Sequence, residues 1–408
     1  GWLAVFSPFI IMSFYSVLGG YCIEYMALNM SNLAFAGAEI SAGADLFTSM
    51  LMNPFGNVIF TVLFLVICYL INRGGISGGI EKFNKVGMPA LFVMLVIVII
   101  RSLTLDGAVE GLKFMFVPGY AVEGGFIAEE PNSITVLATG GQMFFSLSLA
   151  MGVMFTYGSY LSKKENLVKN AALIVFSDTL VALMAGLAVI PAAVAISGPS
   201  ATLSGPKLLF ITLQDVFNAM GAAGPLFGVL FYLLVLIAAL TSAVSLVEVV
   251  TTFFLDRAEE KGKQGNRSKV VLIVCLAILV EASVVAIDGL GAGGLGESLG
   301  NGLPVPFKEA AATVLADGTV QYAGWNDCWL DFMDVLSEGI AMPLGALLMS
   351  LMVAWEIKPK LVLDEVRIGS SAKIDTFYKI CIYVITPLGM LLVLLGQLND
   401  FGILKIFG

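Results

Sequence analysis

Residues 141–152 read GQMFFSLSLAMG and lie in the middle of an apolar segment that runs from Ile134 to Tyr160. A helix that only has to cross a bilayer needs apolar side chains there, not glycine and serine. If the helix is interrupted at this depth, lipid cannot pair the freed backbone groups, so the break must line a cavity or bind a ligand. The alternative is that small side chains let two helices pack closely. Both interpretations place this stretch in a membrane.

The composition of the whole chain is that of a polytopic membrane protein. Of its 408 residues, 58% are hydrophobic and 12% are charged, whereas soluble domains carry about 25% charged residues. The mean hydropathy of +0.95 is too high for a water-soluble fold. The net charge of −9 argues against a nucleic-acid partner. Because the chain has no histidine, Ser/His and Cys/His catalysis and histidine metal sites are excluded, and a membrane enzyme is disfavoured.

Apolar segments of roughly the length that crosses a bilayer as a helix occur nine times along the chain. They are residues 2–26, 55–71, 86–100, 134–160, 171–196, 221–255, 270–286, 332–355 and 374–398. Most Lys and Arg residues fall in alternate loops, after the second, fourth, sixth and eighth segments. By the positive-inside rule these loops are cytoplasmic, so the first segment runs outward. The sequence therefore predicts about nine membrane-spanning helices.

Further polar residues lie inside other apolar segments. Residues 238–245 read AALTSAVS, and their hydroxyl and carbonyl oxygens could coordinate a hard cation such as Na⁺. The alternative for these hydroxyls is a hydrogen bond to a carbonyl one turn earlier. Asp178 is an intramembrane carboxylate, which by default indicates a functional site that a cation or a proton must neutralise. Glu248 is a second such acid, for which we expect a structural hydrogen-bonding role.

Three stretches, taken together, resemble the neurotransmitter:sodium symporter family and in particular its bacterial amino-acid transporters. They are GQMFFSLSLAMG at 141–152, IPAAVA at 190–195 and AALTSAVSLVE at 238–248. The resemblance extends over essentially the whole chain. It implies an all-α polytopic membrane fold with inverted five-helix repeats and discontinuous helices. The first segment matches the family's third helix, so the resemblance implies that the first two helices, and the ligands on the first of them, are missing from this sequence.

The resemblance also predicts how the chain is organised. The parts are the remaining three helices of the first repeat (1–103), an extracellular loop (104–131), the complete second repeat (132–356), and a cytoplasmic loop with the final helix (357–408). Within the second repeat, we expect the broken helix near 146–151 and an extracellular lid at 197–220.

Matching the family's motifs residue by residue implies a substrate pocket. Tyr15 takes the position of a tyrosine whose hydroxyl binds the substrate carboxylate, and Phe145 takes that of an aromatic lid. Met151, where the family often has an aromatic residue, would be a soft and adaptable part of the side-chain subsite. The complete set implied for the substrate is Ile11, Tyr15, Phe145, Ser146, Ser148, Met151, Ser242 and Leu246.

The same matching implies one or two bound sodium ions and no organic cofactor. Ser146 resembles a ligand of the first ion. The next matched position falls on Asp178 or on Ser177 beside it. Asp178 is preferred, because a fixed carboxylate there would replace chloride and contribute to the ion site. The ligands implied for the second ion are the Ala238 carbonyl, Thr241 and Ser242.

Two gates also follow from the resemblance. Asp334 resembles the acid of the family's extracellular gate. Asp256 and Tyr160 lie at the inner ends of two apolar segments and resemble the cytoplasmic gate. The alternative for Asp256 is a solvated acid in a charged loop.

The function that the resemblance implies is secondary transport across the inner membrane of a bacterium. We expect sodium-coupled import of a small amino acid by alternating access, with that substrate and the lipid bilayer as partners. Two alternatives stay open: proton-coupled transport of an amino acid or amine, with Asp178 carrying the proton, and a non-transporting receptor on the same fold. The presence of Ser146, Thr241 and Ser242 together favours transport.

Overall fold

The structure of the chain, a computed structural model, consists almost entirely of helices. It describes residues 2–34, 42–127, 140, 142–200, 205–263, 265–291, 303–306, 312–314, 320–322, 328–371 and 374–400. The helices are α1 (Trp2–Ala34), α2 (Gly43–Leu51), α3 (Pro54–Asn72), α4 (Glu81–Leu103), α5 (Ala108–Phe116), α6 (Tyr120–Glu123), α7 (Gln142–Ser146), α8 (Val153–Gly158), α9 (Leu167–Ser197), α10 (Gly205–Lys207), α11 (Leu213–Ala219), α12 (Gly224–Glu260), α13 (Arg267–Asp288), α14 (Trp329–Asp334), α15 (Met342–Leu351), α16 (Pro359–Gly369), α17 (Asp375–Ile380) and α18 (Thr386–Asp400).

Shorter elements join these helices. Among the described residues, π-helical segments occur at Ile76–Ile80, Leu208–Thr212, Val335–Ala341, Met352–Ile357 and Cys381–Ile385. Turns of 3₁₀-helix lie at Gly198–Ser200, Gly221–Ala223 and Gly289–Gly291. One short antiparallel hairpin pairs β1 (Ala312–Val314) with β2 (Val320–Tyr322), with Thr313 opposite Gln321.

By length and composition, eight described helical spans are able to cross a membrane. They are Trp2–Ala34, Pro54–Asn72, Ile76–Leu103, Leu167–Ser197, Gly221–Glu260, Arg267–Gly291, Trp329–Ile357 and Asp375–Asn399. The ninth predicted segment is present as two short pieces, α7 and α8. Several helices are longer than their apolar segments, since α1 continues to Ala34 and α12 to Glu260 with polar residues at their ends.

Asparagine caps begin three of the long helices. The side chains of Asn53, Asn166 and Asn266 precede α3, α9 and α13, and each accepts a hydrogen bond of 3.0–3.2 Å from the backbone amide three residues on. Such a cap satisfies one of the donors that the first turn of a helix leaves unpaired. These three boundaries are therefore set by local sequence.

The centre of the fold is α1, which has the largest buried share of the eight spans. It packs along α12, α3 and α13. At Gly20 the backbones of α1 and α3 approach so closely that a Cβ atom would lie 2.8 Å from the Thr61 backbone nitrogen. Only glycine allows this contact, which sets the close packing of α1 against α3.

Short helices cover the outer side. In the predicted lid, Gln214 of α11 accepts a hydrogen bond from Asn29 of α1 at 3.0 Å, and Asp215 accepts one from the Gly43 amide at 2.7 Å. Residues 201–204 of the lid lie outside the described part of the chain. In the predicted loop at 104–131, the described residues form α5 and α6, and 128–131 lie outside them. The described lid residues are therefore fixed to α1 and α2.

A buried carboxylate connects two outer helix ends. Asp288, the last residue of α13, accepts hydrogen bonds from the backbone amides of Gly291, Leu303 and Trp329 at 3.0–3.3 Å. Trp329 is the first residue of α14. The bond from Trp329 therefore positions the start of the helix that carries Asp334.

Candidate sodium and substrate site

The broken helix is the central feature of the site. α7 ends at Ser146 and α8 begins at Val153. Between them Ser148 (φ 53°), Ala150 (φ 62°) and Gly152 (φ 78°) have left-handed backbone conformations. Non-glycine residues adopt this conformation rarely, at a cost of about 1–3 kcal/mol each. The predicted discontinuous helix is confirmed, and the amides of Leu147, Ser148 and Leu149 bond back to carbonyls of the turn before the break.

The interruption depends on a glycine whose replacement we expect to be costly. A Cβ atom at Gly152 would lie 2.7 Å from the Ala4 carbonyl oxygen and 2.9 Å from Cγ1 of Val249. Gly152→Ala should therefore lower the free energy of unfolding by about 2 kcal/mol or more, measured by thermal or denaturant unfolding in detergent. Gly158→Ala is the matched control, because a Cβ there meets nothing within 4 Å. Equal stability of the two variants would contradict this account.

Ser146 and Asp178 come together at the break. The Ser146 hydroxyl lies 2.8 Å from each carboxylate oxygen of Asp178, which is carried by α9. One hydroxyl hydrogen can serve only one of these oxygens at a time, so the carboxylate retains free lone pairs. No salt bridge of the described residues involves Asp178. Of the two residues considered for this position, the structure places Asp178 rather than Ser177 against Ser146.

The residues matched to the second ion form one turn of α12. The Thr241 hydroxyl donates to the Ala238 carbonyl oxygen at 2.7 Å, and Ser245 donates to the Thr241 carbonyl at 3.1 Å. Both back-bonds expected as the alternative are thus present. They also hold a hydroxyl and a carbonyl oxygen side by side, which is the donor set that a hard cation prefers.

The residues matched to the substrate divide into two groups. Tyr15 of α1 contacts the Phe145 ring, with 6.1 Å between centroids, and its hydroxyl lies near Ser242 of α12. It therefore links α1, the broken helix and α12 at one point. The other group, Ile11, Met151 and Leu246, is buried in the hydrophobic core in this conformation. Ser148 lies in the break and is half-buried.

A cavity of about 680 Å³ lies directly inward of the break. Its walls come from α1, α8, α12 and α15, and Gly152 and Asp256 are among its lining residues. Asp256 is exposed there, whereas Tyr160 does not line the cavity and is 50% exposed. Within the described part of the chain, no hydrogen bond joins Asp256 to Tyr160. Of the two residues matched to the cytoplasmic gate, only Asp256 therefore lines the cavity, and no hydrogen bond between described residues joins it to the other.

Two acidic side chains lie one turn apart in the predicted segment 332–355. Asp334, matched to the extracellular gate, is half-buried at the end of α14. Glu338 follows one turn later, in the π-helical segment, and is also half-buried. None of the salt bridges between described residues includes either acid.

Sequence reasoning missed two polar residues near the site. Glu338 lies in an apolar segment, and the same rule that marked Asp178 would have marked it. Tyr157 of α8 has its hydroxyl 2.7 Å from Ser245 Oγ. No signal in the sequence joins Tyr157 to Ser245, because they are 88 residues apart on different helices.

Comparison with known proteins gives the family. A model described as "Sodium:neurotransmitter symporter family" matches residues 48–295. The chain is 33% identical over 408 residues to the uncharacterized sodium-dependent transporter YhdH of Bacillus subtilis, a match that covers 99% of this chain and 80% of that protein. It is 32% identical to an uncharacterized sodium-dependent transporter of Haemophilus influenzae, covering 98% of this chain and 78% of that one.

A solved structure shares the fold. The crystal structure of MhsT in complex with L-phenylalanine superimposes with a TM-score of 0.76 and 30% sequence identity, over 97% of this chain and 80% of that one. The likeness confirms the predicted all-α transporter fold with its discontinuous helix. The relatives are transporters of sodium-dependent type and not enzymes. This chain is a multi-pass membrane protein that belongs to the sodium:neurotransmitter symporter family.

Proposed function

We propose that this protein is a symporter that imports a small amino acid together with one or two sodium ions by alternating access. The observation that carries the proposal is the contact of Ser146 with Asp178 at the broken helix. An intramembrane carboxylate without a basic partner among the described residues needs a cation or a proton. Next to it, the interrupted backbone offers further oxygens.

The proposed ligands support two ion sites that differ in charge. The first contains the Asp178 carboxylate and the Ser146 hydroxyl. The second contains only neutral oxygens, from Ala238, Thr241 and Ser242. A fixed carboxylate at the first site would make transport independent of chloride. The second ion would lie against residues 238–242 of α12, between this turn and the element that packs on it.

Coupling between ion and substrate would come from shared contacts. A substrate carboxylate bound near Ser146 and Tyr15 would help to hold the first ion, so each ligand would raise the affinity of the other. A membrane potential of about 100 mV, negative inside, contributes roughly 2.3 kcal/mol for each net charge that enters. That is sufficient to accumulate a substrate against its gradient.

The substrate class is proposed from the pocket and from the relatives. In a conformation that opens the pocket, Phe145 and Met151 would offer an apolar, adaptable surface to a side chain. MhsT binds L-phenylalanine in its crystal structure, and a Drosophila melanogaster relative, 28% identical over 207 residues, is described as a sodium-dependent nutrient amino acid transporter. Both support an amino acid over an amine. Asp334 would close the outer side, and Asp256 with Tyr160 the inner side.

The organisation proposed from the sequence is compatible with this mechanism. Residues 1–103 and 132–356 would be parts of two inverted repeats that move against each other around the break. By the positive-inside rule, the basic loops would place the end of α3 and the starts of α9 and α13 on the cytoplasmic side. The helix α16, which lies within such a loop, would be on the same side. We propose the inner membrane of a bacterium as the location.

Ligand-dependent stabilisation tests this function. The purified protein is heated with each of the twenty amino acids, in Na⁺ and in K⁺ or choline. Stabilisation by a few amino acids only in Na⁺ is the expected result. Stabilisation that ignores the cation but follows pH would replace sodium coupling by proton coupling through Asp178. No shift with any amino acid, amine or osmolyte in either cation would favour a non-transporting receptor.

A further inference from the structure

Tyr157 makes a polar contact that the proposed ion and substrate ligands do not explain. Its hydroxyl lies 2.7 Å from Ser245 Oγ, and Ser245 donates to the Thr241 carbonyl oxygen at 3.1 Å. Because a serine hydroxyl has one hydrogen and Ser245 uses it in that bond, Tyr157 is the donor to Ser245. The contact therefore has a direction, from α8 through Ser245 to one turn of α12.

The turn that receives this contact carries the proposed second sodium site. Its hydroxyl and carbonyl oxygens, from Thr241 and Ala238, lie 2.7 Å apart. A serine that donates to the carbonyl four residues earlier competes with the helical N–H and bends the helix. A donor to that serine polarises its hydroxyl and strengthens the bond. Tyr157 therefore acts on the local geometry of the oxygens that would face the ion.

The surroundings of Tyr157 allow the contact to be made and broken. The side chain is half-buried, and one side of its ring packs against the hydrophobic core. It also lines a separate cavity of about 410 Å³, whose other walls include Ile80 and Asn84. The ring therefore has open space beside it as well as a contact with the core.

We propose that Tyr157 is a positioning residue for the second sodium site and couples sodium affinity to the position of α8. The proposal rests on the sodium-coupled function proposed above. α8 forms a wall of the inward cavity, so a shift of α8 away from α12 opens that cavity. The same shift removes the donor from Ser245 and relaxes the turn at 238–242. The hydrogen bond from Tyr157 to Ser245 thereby couples opening of the inner side to release of the second sodium ion.

A sodium titration of the purified protein tests this proposal. The measured quantity is the Na⁺ concentration that gives half of the maximal thermal stabilisation, without substrate. Tyr157→Phe should raise it about five-fold, the effect of losing one buried hydrogen bond. Ser245→Ala should raise it equally, and the double variant no further than either single one. Ser245→Thr keeps the hydroxyl and should restore the wild-type value.

Tyr383→Phe is the matched control, since Tyr383 packs on Trp355 at 6.0 Å and is remote from α12. It should leave the half-saturating concentration unchanged. A merely structural role for Tyr157 would lower the melting temperature equally at every Na⁺ concentration and leave half-saturation unchanged, which would overturn the proposal. Additive effects of the two substitutions would overturn it as well. If sodium fails to stabilise the wild type at all, the proposed function itself is refuted.

Discussion

The double substitution Thr241→Val and Ser242→Ala should abolish sodium-dependent stabilisation and sodium-driven uptake. Both side chains would be oxygen ligands of the second ion, and their replacements have similar volume but no oxygen. Thr241 also gives up its 2.7 Å hydrogen bond to the Ala238 carbonyl, which stays paired with the backbone of its own helix. The fold should therefore persist while the ion site is lost.

The chain offers a matched control for this experiment in the neighbouring pair Thr48 and Ser49. These hydroxyls are exposed on α2 and bond back to carbonyls of their own helix at 2.8 Å. Thr48→Val with Ser49→Ala removes the same atoms and should leave the sodium response unchanged. Uptake that remains sodium-driven after Thr241→Val with Ser242→Ala would refute the assignment of the second site.

Removal of Arg267 should be the most destabilising single change of a charge. Arg267 forms a salt bridge with Glu248, whose side chain is 0% exposed, and its Nε donates to the Asn72 carbonyl at 3.1 Å. Arg267→Met leaves a buried carboxylate without its cation. Loss of one partner of a buried pair costs about 3–5 kcal/mol. The free energy of unfolding in detergent measures this loss.

Two further variants test the cause. Arg367→Met removes an arginine whose bridges to Asp364 and Asp375 are about half exposed, so its cost should stay below about 1 kcal/mol. Adding Glu248→Gln to Arg267→Met should recover much of the loss, because no buried charge remains. If Arg267→Met is as mild as Arg367→Met, the pair is not structurally important.

The membrane spans could be predicted from local composition, whereas the break also needed the family resemblance, because composition alone left close helix packing as an alternative. Glycine and serine inside an apolar segment marked the interruption at residues 147–152, and asparagine caps set three helix starts. The lid at Gln214 was expected to be folded, and its described residues are helical. In each case the signal lies within a few residues of the feature.

Contacts between helices were harder to predict. Glu248 was expected to have a structural role, and its salt bridge agrees with this, but its partner Arg267 looked like one of many cytoplasmic basic residues. Asp178 and Ser146 were each expected in the ion site, but their contact across 32 residues was not predicted. The spacing of residues along a chain shows which of them share a face of one helix. It does not show which other helix packs against that face. Long-range pairs therefore need the tertiary structure.

The π-helical segment Val335–Ala341 has a consequence for reading relatives of this chain. A π turn holds one residue more than an α turn of similar rise, and one residue corresponds to about 100° of rotation about the helix axis. Deleting a single residue there would rotate Gly345, which follows the segment, by about 100° about the helix axis relative to Asp334, which precedes it. A Cβ on Gly345 would lie 3.6 Å from the Ala150 carbonyl, so this glycine is aimed at the break. A relative that lacks one residue in this segment would therefore hold the residues equivalent to Asp334 and Gly345 at a different angle to each other about the helix axis.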